Sequence, residues 1–252
     1  MKKGDILAVE RMKTGVPGLD NVLKGGLRRS SSVLVTGAPG TGKTLLALEF
    51  IYYGAKDYNE NGIFITTEES LEVLDQSARN LGMDLKSMVD QQKVFVVQKP
   101  IATLKGGITS IKILLDAIRK NNVKRVALDS LIFFEYLYPR FDGNKMEFRR
   151  QVLIFIQEMK KAGVTFLVVS ERSVTDFDRL TYDMMDFVFE GIIVLSRIRK
   201  GSYFERVLTV AKLRGQDHSL DVYPITIGSD GLKVLYDQTP FSLVEKEEQG
   251  FK

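Results

Sequence analysis

The stretch SSVLVTGAPGTGKTLLALEFIYYGAKDY, residues 31–58, decides the fold. Its first part, 31–37, is an apolar run that predicts a buried strand, and 44–58 has the apolar spacing of a helix. Between them GAPGTGKT (37–44) matches the pattern G-x-x-x-x-G-K-[ST], whose glycines let several backbone N–H groups point at one phosphate. A strand before the loop and a helix after it are the context that this motif requires.

The motif predicts a site for the phosphates of a nucleotide and for Mg²⁺, against the alternative of a glycine-rich turn that matches by chance. Lys43 would reach the β- and γ-phosphates and the Thr44 hydroxyl would hold Mg²⁺, while the positive end of the helix dipole faces the phosphates. The residues expected to bind the nucleotide here are Gly37, Ala38, Pro39, Gly40, Thr41, Gly42, Lys43, Thr44 and Leu45.

Strand-length apolar runs alternate with helix-period segments along the first two thirds of the chain. This alternation predicts an α/β fold with a doubly wound, mostly parallel sheet covered on both faces. The further predicted strands are 62–68, 93–97, 125–129 and 164–170, and the further helices are 70–83, 108–121 and 145–163.

The pattern changes after residue 187. Segments 189–198 and 203–215, joined by a turn at 199–202, predict an antiparallel pair, and YPITIG and GLKVL predict one more hairpin with its turn at 229–231. We therefore expect one domain over residues 1–240 and a charged tail over 241–252.

The composition bounds the class of protein. The 252 residues are 44% hydrophobic and 27% charged, a globular balance, and 36 basic and 32 acidic residues are interspersed. With no cysteine and one histidine, a disulfide framework and a zinc site are not expected. The sequence shows neither the apolar run of a signal peptide nor a membrane span, so we expect a cytoplasmic protein without membrane contact.

Three carboxylates follow predicted strands. Asp129 ends RVALD and would complete the magnesium site with Thr44, the alternative being a turn or helix N-cap. Glu68 and Glu69 follow the apolar part, 62–67, of the predicted strand 62–68 and could orient an attacking water and accept its proton. They could equally be the acidic first turn of the next helix, and spacing alone leaves the two interpretations even.

Six short motifs in order make the chain resemble the KaiC-like branch of the RecA-type ATPases, as a single-domain member. They are TGVPGLDNVLKGGL (14–27), GAPGTGKT, ITTEES (65–70), RVALDS, VVSER (168–172) and KLRG (212–215). The resemblance spans residues 13–235 and implies a RecA-like core that hydrolyses ATP at the subunit interfaces of a homo-oligomeric ring, usually a hexamer.

The resemblance also implies roles for individual residues. It favours catalysis for Glu68 and Glu69, and it puts Asn80 at the adenine. Lys212, Arg214 and His218, in KLRGQDH, would reach the nucleotide of a neighbouring subunit, the alternative being a solvated basic turn. Lys212 and Arg214 would then share catalysis with Lys43.

Two other functions stay open, a recombinase-type ATPase stimulated by single-stranded DNA and a nucleotide-gated scaffold that docks a protein partner. Segments 130–145 and 171–187 are the candidate DNA loops, because aromatics with a cation could stack bases. We expect the aromatics to be buried instead. The residues concerned are Phe133, Phe134, Tyr136, Tyr138, Arg140 and Phe141.

Overall fold

The computed structural model describes residues 10–98, 107–132, 134, 145–171, 187–200, 202–241 and 243. The strands are β1 Arg11–Met12, β2 Leu27–Arg28, β3 Ser32–Gly37, β4 Gly62–Thr66, β5 Val94–Gln98, β6 Arg125–Asp129, β7 Thr165–Glu171, β8 Gly191–Lys200, β9 Tyr203–Leu213, β10 Val222–Gly228 and β11 Gly231–Val234. The helices are α1 Leu19–Val22, α2 Lys43–Asp57, α3 Leu71–Arg79, α4 Leu85–Asp90, α5 Gly107–Lys120 and α6 Lys145–Lys161.

Nine of these strands form one sheet in the order β11-β10-β9-β8-β3-β7-β6-β4-β5. The six strands from β8 to β5 run parallel, and β9, β10 and β11 are added antiparallel at one side. The predicted α/β class, with a mostly parallel sheet and antiparallel C-terminal strands, is confirmed. Strand β8 joins the two halves, because it pairs in parallel with β3 and antiparallel with β9.

Helices cover both faces of the sheet, as the continuous apolar strands predict. One core joins the sheet to α2, α3 and α4. The other joins the opposite face to α5 and α6. Alternate residues of each strand therefore enter different cores, and β3 sends Val33 and Val35 to the first and Leu34 to the second.

The predicted helix 70–83 is shorter than expected. Ser70 is its N-cap, as predicted, and accepts a hydrogen bond from the Val73 N–H at 3.4 Å. The helix ends at Arg79, and Gly82 turns the chain with φ of 77°. Asp84 then caps the unpredicted helix α4 by accepting from the Ser87 N–H at 3.1 Å. Gly82 followed by Asp84 is a stop and a start that the sequence already contains.

The segment ahead of the sheet, residues 14–28, is here called the leading segment. It contains α1 and β2 and is held by Arg125, which is fully buried at the start of β6. The Arg125 guanidinium donates to the carbonyls of Lys13 and Thr14 at 2.8 and 3.3 Å and pairs with Glu60 at 2.5 Å. A buried cation with this many acceptors fixes the leading segment to the sheet.

The parallel strands define two edges of the sheet. At the carboxyl edge, where these strands end, Gly37 pairs with Glu171 and Thr66 with Asp129. At the amino edge, where they begin, Val33 pairs with Gly191 and Gly191 with Leu213. None of the described helices has the length and apolarity needed to cross a membrane.

Candidate functional site

The glycine-rich loop 37–44 leaves the carboxyl edge between β3 and α2. Gly37, Gly40 and Gly42 have φ of 154°, 74° and 106°, values that favour glycine. A Cβ on Gly37 would lie 2.1 Å from the Leu195 carbonyl oxygen, whereas one on Gly40 would meet nothing within 4 Å. The loop is therefore packed at its base and open at its tip, where a phosphate would approach the backbone.

Lys43 lies inside this loop, with 6% of its surface exposed. Its ammonium donates a hydrogen bond to the Ala38 carbonyl at 3.0 Å, and the Thr41 hydroxyl donates to the same oxygen at 2.8 Å. Burial lowers the pKa of Lys43, while the carboxylates of Glu171 and Asp129 act in the opposite direction. A desolvated ammonium gains strongly from an anionic ligand.

Asp129 ends β6 beside the loop, and its carboxylate accepts a hydrogen bond from the Thr44 side chain. Burial raises the pKa of Asp129, and the nearby carboxylates of Glu68 and Glu69 raise it further. The two residues expected to hold Mg²⁺ thus lie together. A divalent cation between them would favour the charged form of the carboxylate that burial now disfavours.

Glu68 and Glu69 line the same cleft, just beyond β4. Their backbone N–H groups both donate to the Thr66 hydroxyl oxygen, at 3.2 and 3.1 Å, which fixes the turn that carries them. They lie before the N-cap Ser70, and the acidic residue in the first turn of α3 is Glu72. The first-turn interpretation therefore does not describe where these two carboxylates stand.

Glu171 is a cleft residue that the motif search missed. It ends β7, pairs with Gly37 across the sheet and attracts the Lys43 ammonium. The signal in the sequence was a carboxylate at the end of VVSE, on the strand that neighbours the loop-bearing strand. Only the strand order turns that residue into a neighbour of Lys43.

The cleft holds about 380 Å³. Its charged lining consists of Glu68, Glu69, Asp129 and Glu171 against Lys43, the one cation among the described residues that line it. A polyphosphate alone would meet excess negative charge here, which a divalent cation bound beside it would offset. Mg²⁺ suits the site, since it is held by one or two protein oxygens plus phosphates and water. The described residues contain no cluster of three or more acidic or histidine side chains that would hold a metal alone.

The other end of the cleft is apolar. It is lined by Leu45, Leu48, Leu74, Ala78, Leu81 and Ile227, with the Ser77 hydroxyl among them. Apolar lining of this kind suits a nucleobase. Asn80, expected at the adenine, is exposed at the C-cap of α3 and is not among the lining residues.

A buried carboxyl group links the two elements that carry part of this apolar lining, α2 and the β10–β11 hairpin. Glu49 of α2 is fully buried, and its Oε1 accepts from the Leu232 N–H of β11 at 2.7 Å. Among the described residues no donor meets its Oε2. Burial raises the pKa of Glu49 to about 8, so this group is a neutral acid at pH 7. It ties the β10–β11 hairpin, which supplies Ile227, to the helix that follows the loop.

Lys212, Arg214 and His218 lie at the opposite, amino edge. Lys212 donates to the Phe189 carbonyl at 2.6 Å, and Arg214 donates to the Phe187 carbonyl at 3.3 Å. Both side chains thus reach the segment 187–189. A β-bulge interrupts the pairing of β8 with β9 just before Lys212, and Arg214 lies just beyond the end of β9. The Nδ1 atom of His218 lies 2.8 Å from the Ser219 carbonyl oxygen.

The sheet separates these three residues from the chain's own glycine-rich loop. Leu213 is level with Val33, four residues before Gly37, and two strands away from it. Strand geometry makes that about 13 Å along the sheet and about 10 Å across it. An arginine beyond Leu213, directed towards Phe187, is too far from its own cleft to act there.

Of the candidate DNA-binding aromatics, the structure describes Phe134. It is fully buried and packs edge-on against Phe155, with ring centroids 5.0 Å apart. The predicted burial is confirmed for Phe134. Phe133, Tyr136, Tyr138, Arg140 and Phe141 lie outside the described residues, as does most of 171–187.

Comparison with known proteins agrees with this geometry. The family model described as "ATPase: KaiC" matches residues 12–239. The circadian clock oscillator protein KaiC of Picosynechococcus sp. is 32% identical over 238 residues, covering 92% of this chain and 45% of that protein. The same protein of Prochlorococcus marinus subsp. pastoris is 34% identical over 236 residues, covering 90% of this chain and 45% of its own length.

A solved structure extends the comparison to the whole fold. The KaiC-like protein of Pyrococcus horikoshii OT3 superposes with a TM-score of 0.77 at 29% identity, covering 90% of this chain and 99% of that one. The chain spans about half the length of the curated relatives it matches.

Proposed function

Because the chain belongs to the KaiC family of ATPases, we propose that it is a Mg²⁺-dependent ATPase whose active sites are completed between copies in a ring. One observation carries the proposal. Lys43, Thr44, Asp129, Glu68 and Glu69 meet in one cleft at the carboxyl edge, whereas the family's in-trans cations lie at the amino edge. Each copy thus carries a cleft and, on its far side, the cations that another copy's cleft lacks.

The cleft residues divide the work of hydrolysis. The loop N–H groups and Lys43 bind the β- and γ-phosphates, and the apolar walls hold the base. Asn80 stays our proposed adenine contact, from its exposed position at the C-cap of α3 outside the cleft lining. Thr44 and Asp129 hold Mg²⁺, which neutralises phosphate charge when bound. Glu68 and Glu69 orient the attacking water, and one of them accepts its proton as the γ-phosphoryl group leaves ADP.

Charge that develops on the γ-phosphoryl oxygens meets few cations among the described residues of the cleft lining. The cleft offers Lys43 against four carboxylates. Lys212 and Arg214 of a neighbouring copy supply the missing cations, and His218 approaches the sugar or phosphates. Cations supplied in this way are worth 10³–10⁵ in rate in other phosphoryl-transfer systems. We further propose that this ATPase is regulatory and that a protein partner reads its state.

Turnover and mass in solution test this proposal together. We expect a mass near six chains with MgATP, and ATP hydrolysis that rises with protein concentration as copies associate. Single-stranded DNA should leave the rate unchanged. A monomer that hydrolyses ATP at full rate would refute completion between copies, DNA stimulation would favour the recombinase-type function, and tight binding without turnover would favour the scaffold.

A further inference from the structure

The loop that carries Arg214 and His218 does not stand free at the amino edge. Residues 214–219, here called the finger loop, lie against the leading segment. The Ser219 N–H donates to the Val22 carbonyl at 2.9 Å, and the Lys24 ammonium pairs with Asp217 at 2.6 Å. The leading segment therefore forms one wall of the finger loop.

Gln216 makes the densest of these contacts. Its side-chain nitrogen donates to the carbonyls of Leu23 and Gly26 at 3.3 and 3.1 Å, and its side-chain oxygen accepts from the Arg28 N–H at 2.9 Å. Two donors and one acceptor at the end of a side chain are what a carboxamide offers. Glutamate has no such donors and lysine has no acceptor.

The wall that Gln216 contacts is rigid. Besides the hold of Arg125 on its start, Gly15 packs so tightly on α2 that an added Cβ would lie 2.4 Å from the Tyr53 Cβ. The Val234 N–H donates to the Pro17 carbonyl at 2.9 Å. The leading segment is thus joined to the sheet, to α2 and to β11. A loop fixed to it keeps one position relative to the rest of the chain.

The other side of the finger loop is fixed close to Arg214 itself. The Arg214 N–H donates to the Glu190 carbonyl at 2.8 Å. The Glu190 side chain in turn accepts from Arg28 at 2.5 Å, and the Arg28 N–H is the group that Gln216 binds. Arg214 is therefore held on one side through Glu190 and on the other through Gln216, and both of these residues bind Arg28.

We propose that Gln216 is the positioning residue of the finger loop: its carboxamide, bound by three backbone groups of the leading segment, sets where Arg214 and His218 stand against the neighbouring copy's nucleotide. This rests on the proposed function, in which those residues act in trans. The leading segment then has a functional role, because its backbone groups bind Gln216 and so fix the position of the finger loop.

Gln216→Glu is the sharpest single change. It keeps the length and the acceptor for Arg28 but turns a carboxylate oxygen towards the Leu23 and Gly26 carbonyls. Because misplacement by about 1 Å can cost 10²-fold, we expect kcat to fall by about 10-fold to 10²-fold. KM should change less than kcat, since the loop and Lys43 that bind the phosphates lie at the other edge. Gln91→Glu, the same change at an exposed carboxamide that donates to the Ser87 hydroxyl on α4, is the control and should leave kcat unchanged.

Mixed assemblies separate positioning from general damage. Two variants are co-expressed with different affinity tags and purified through both. Gln216→Glu with Lys43→Ala should regain activity, because intact finger loops of the second meet intact clefts of the first. Gln216→Glu with Arg214→Ala should stay at or below the reduced rate of Gln216→Glu alone, because every finger loop is defective.

Each other outcome overturns the proposal. Rescue by both partners would mean that Gln216→Glu leaves the finger loop working, and rescue by neither would mean that it damages the cleft or the fold. Full activity of Gln216→Glu alone, beside an inactive Arg214→Ala, would refute positioning by Gln216 while leaving the proposed function intact. Full activity of Arg214→Ala would refute the proposed function itself.

Discussion

The charged side chains at the two edges of the sheet differ in how they are paired. At the carboxyl edge the cleft groups four carboxylates around Lys43, and burial raises the pKa of Asp129 and lowers that of Lys43. At the amino edge Glu190 accepts from Arg28 at 2.5 Å and Lys160 at 2.8 Å. Burial alone would raise the pKa of Glu190, but those two cations overcome it and the pKa lies below its ordinary value.

This difference indicates which edge binds the nucleotide and which edge faces the nucleotide of a neighbouring copy. The charges at the carboxyl edge are buried, and burial disfavours their charged forms, which a charged ligand would stabilise; this supports our proposal that the carboxyl edge binds the ligand. Charged side chains that are already paired fix the positions of the backbone segments that carry them. The amino edge is therefore suited to present Lys212 and Arg214 in a fixed place, and changes at the two edges should differ in kind.

Lys43→Ala should have the largest effect, because Lys43 is the one cation among the described residues that line the cleft. Loss of a buried charge partner costs several kcal/mol, so we expect MgATP affinity to fall by about 10²-fold or more. Calorimetric titration measures it, and Lys56→Ala, an exposed lysine of the same helix, is the control. Unchanged affinity in the Lys43 variant would refute the assignment of the loop.

Replacing Glu68 and Glu69 together by Gln should leave MgATP bound but slow hydrolysis by about 10²-fold or more, the usual scale for a lost general base. The amide keeps the shape and removes the proton acceptor. Phosphate release measures turnover. Glu72→Gln, in the first turn of α3, is the matched control and should retain wild-type turnover. Equal turnover in all three proteins would remove the catalytic role from the pair.

Glu49→Gln should change how stability depends on pH. Between the ordinary pKa of 4.5 and the pKa of about 8 in the folded chain, the folded state holds a proton that the unfolded chain has released. The free energy of unfolding therefore falls as pH rises through this window and is lowest above it. The fall is on the order of 1.4 kcal/mol per unit of pKa shift, or a few kcal/mol in total.

Denaturant unfolding between pH 5 and pH 9, a range of about four units, measures that slope. The Gln variant should lose most of it, while the contribution of Asp129, whose pKa burial also raises, stays in both proteins. Identical slopes would mean that Glu49 is ionised in the folded chain and that its burial is compensated by groups outside the described residues.

Lys160→Met should have the smallest effect. It removes one of two cations from Glu190, a half-exposed pair, so we expect a loss of about 0.5–1 kcal/mol in stability, smaller at high salt. MgATP affinity should not change, and Lys161→Met is the neighbouring control. A large fall in MgATP affinity would mean that the two edges are not separate in function.

The sequence predicted the carboxyl edge better than the amino edge, for a physical reason. Lys43 and Thr44 belong to a local motif, and Asp129, Glu68 and Glu69 end apolar strands that periodicity identifies. Glu171 needed the order of strands, which no local pattern contains. Likewise, KLRGQDH could be placed after a strand, but only the register between β8 and β9 puts it at the far edge.

Elements stabilised by distant contacts were also missed. The leading segment matches a motif, but its structure depends on Arg125, more than a hundred residues away, and on Gln216. Helix α4 has six residues and little periodicity to detect, although its cap Asp84 was visible. The burial of Phe134 followed from its apolar character alone, because such a side chain gains most in a core.

The central claim, that each active site takes Arg214 from another copy, is tested most directly by mixing two inactive proteins. Lys43→Ala has intact finger loops without a working cleft, and Arg214→Ala has intact clefts without the arginine. Co-expressed and purified through two tags, they should regain partial ATPase activity, whereas Lys43→Ala paired with the double variant Lys43→Ala, Arg214→Ala should not. Mixed assemblies that contain both proteins and stay as inactive as either alone would contradict the account.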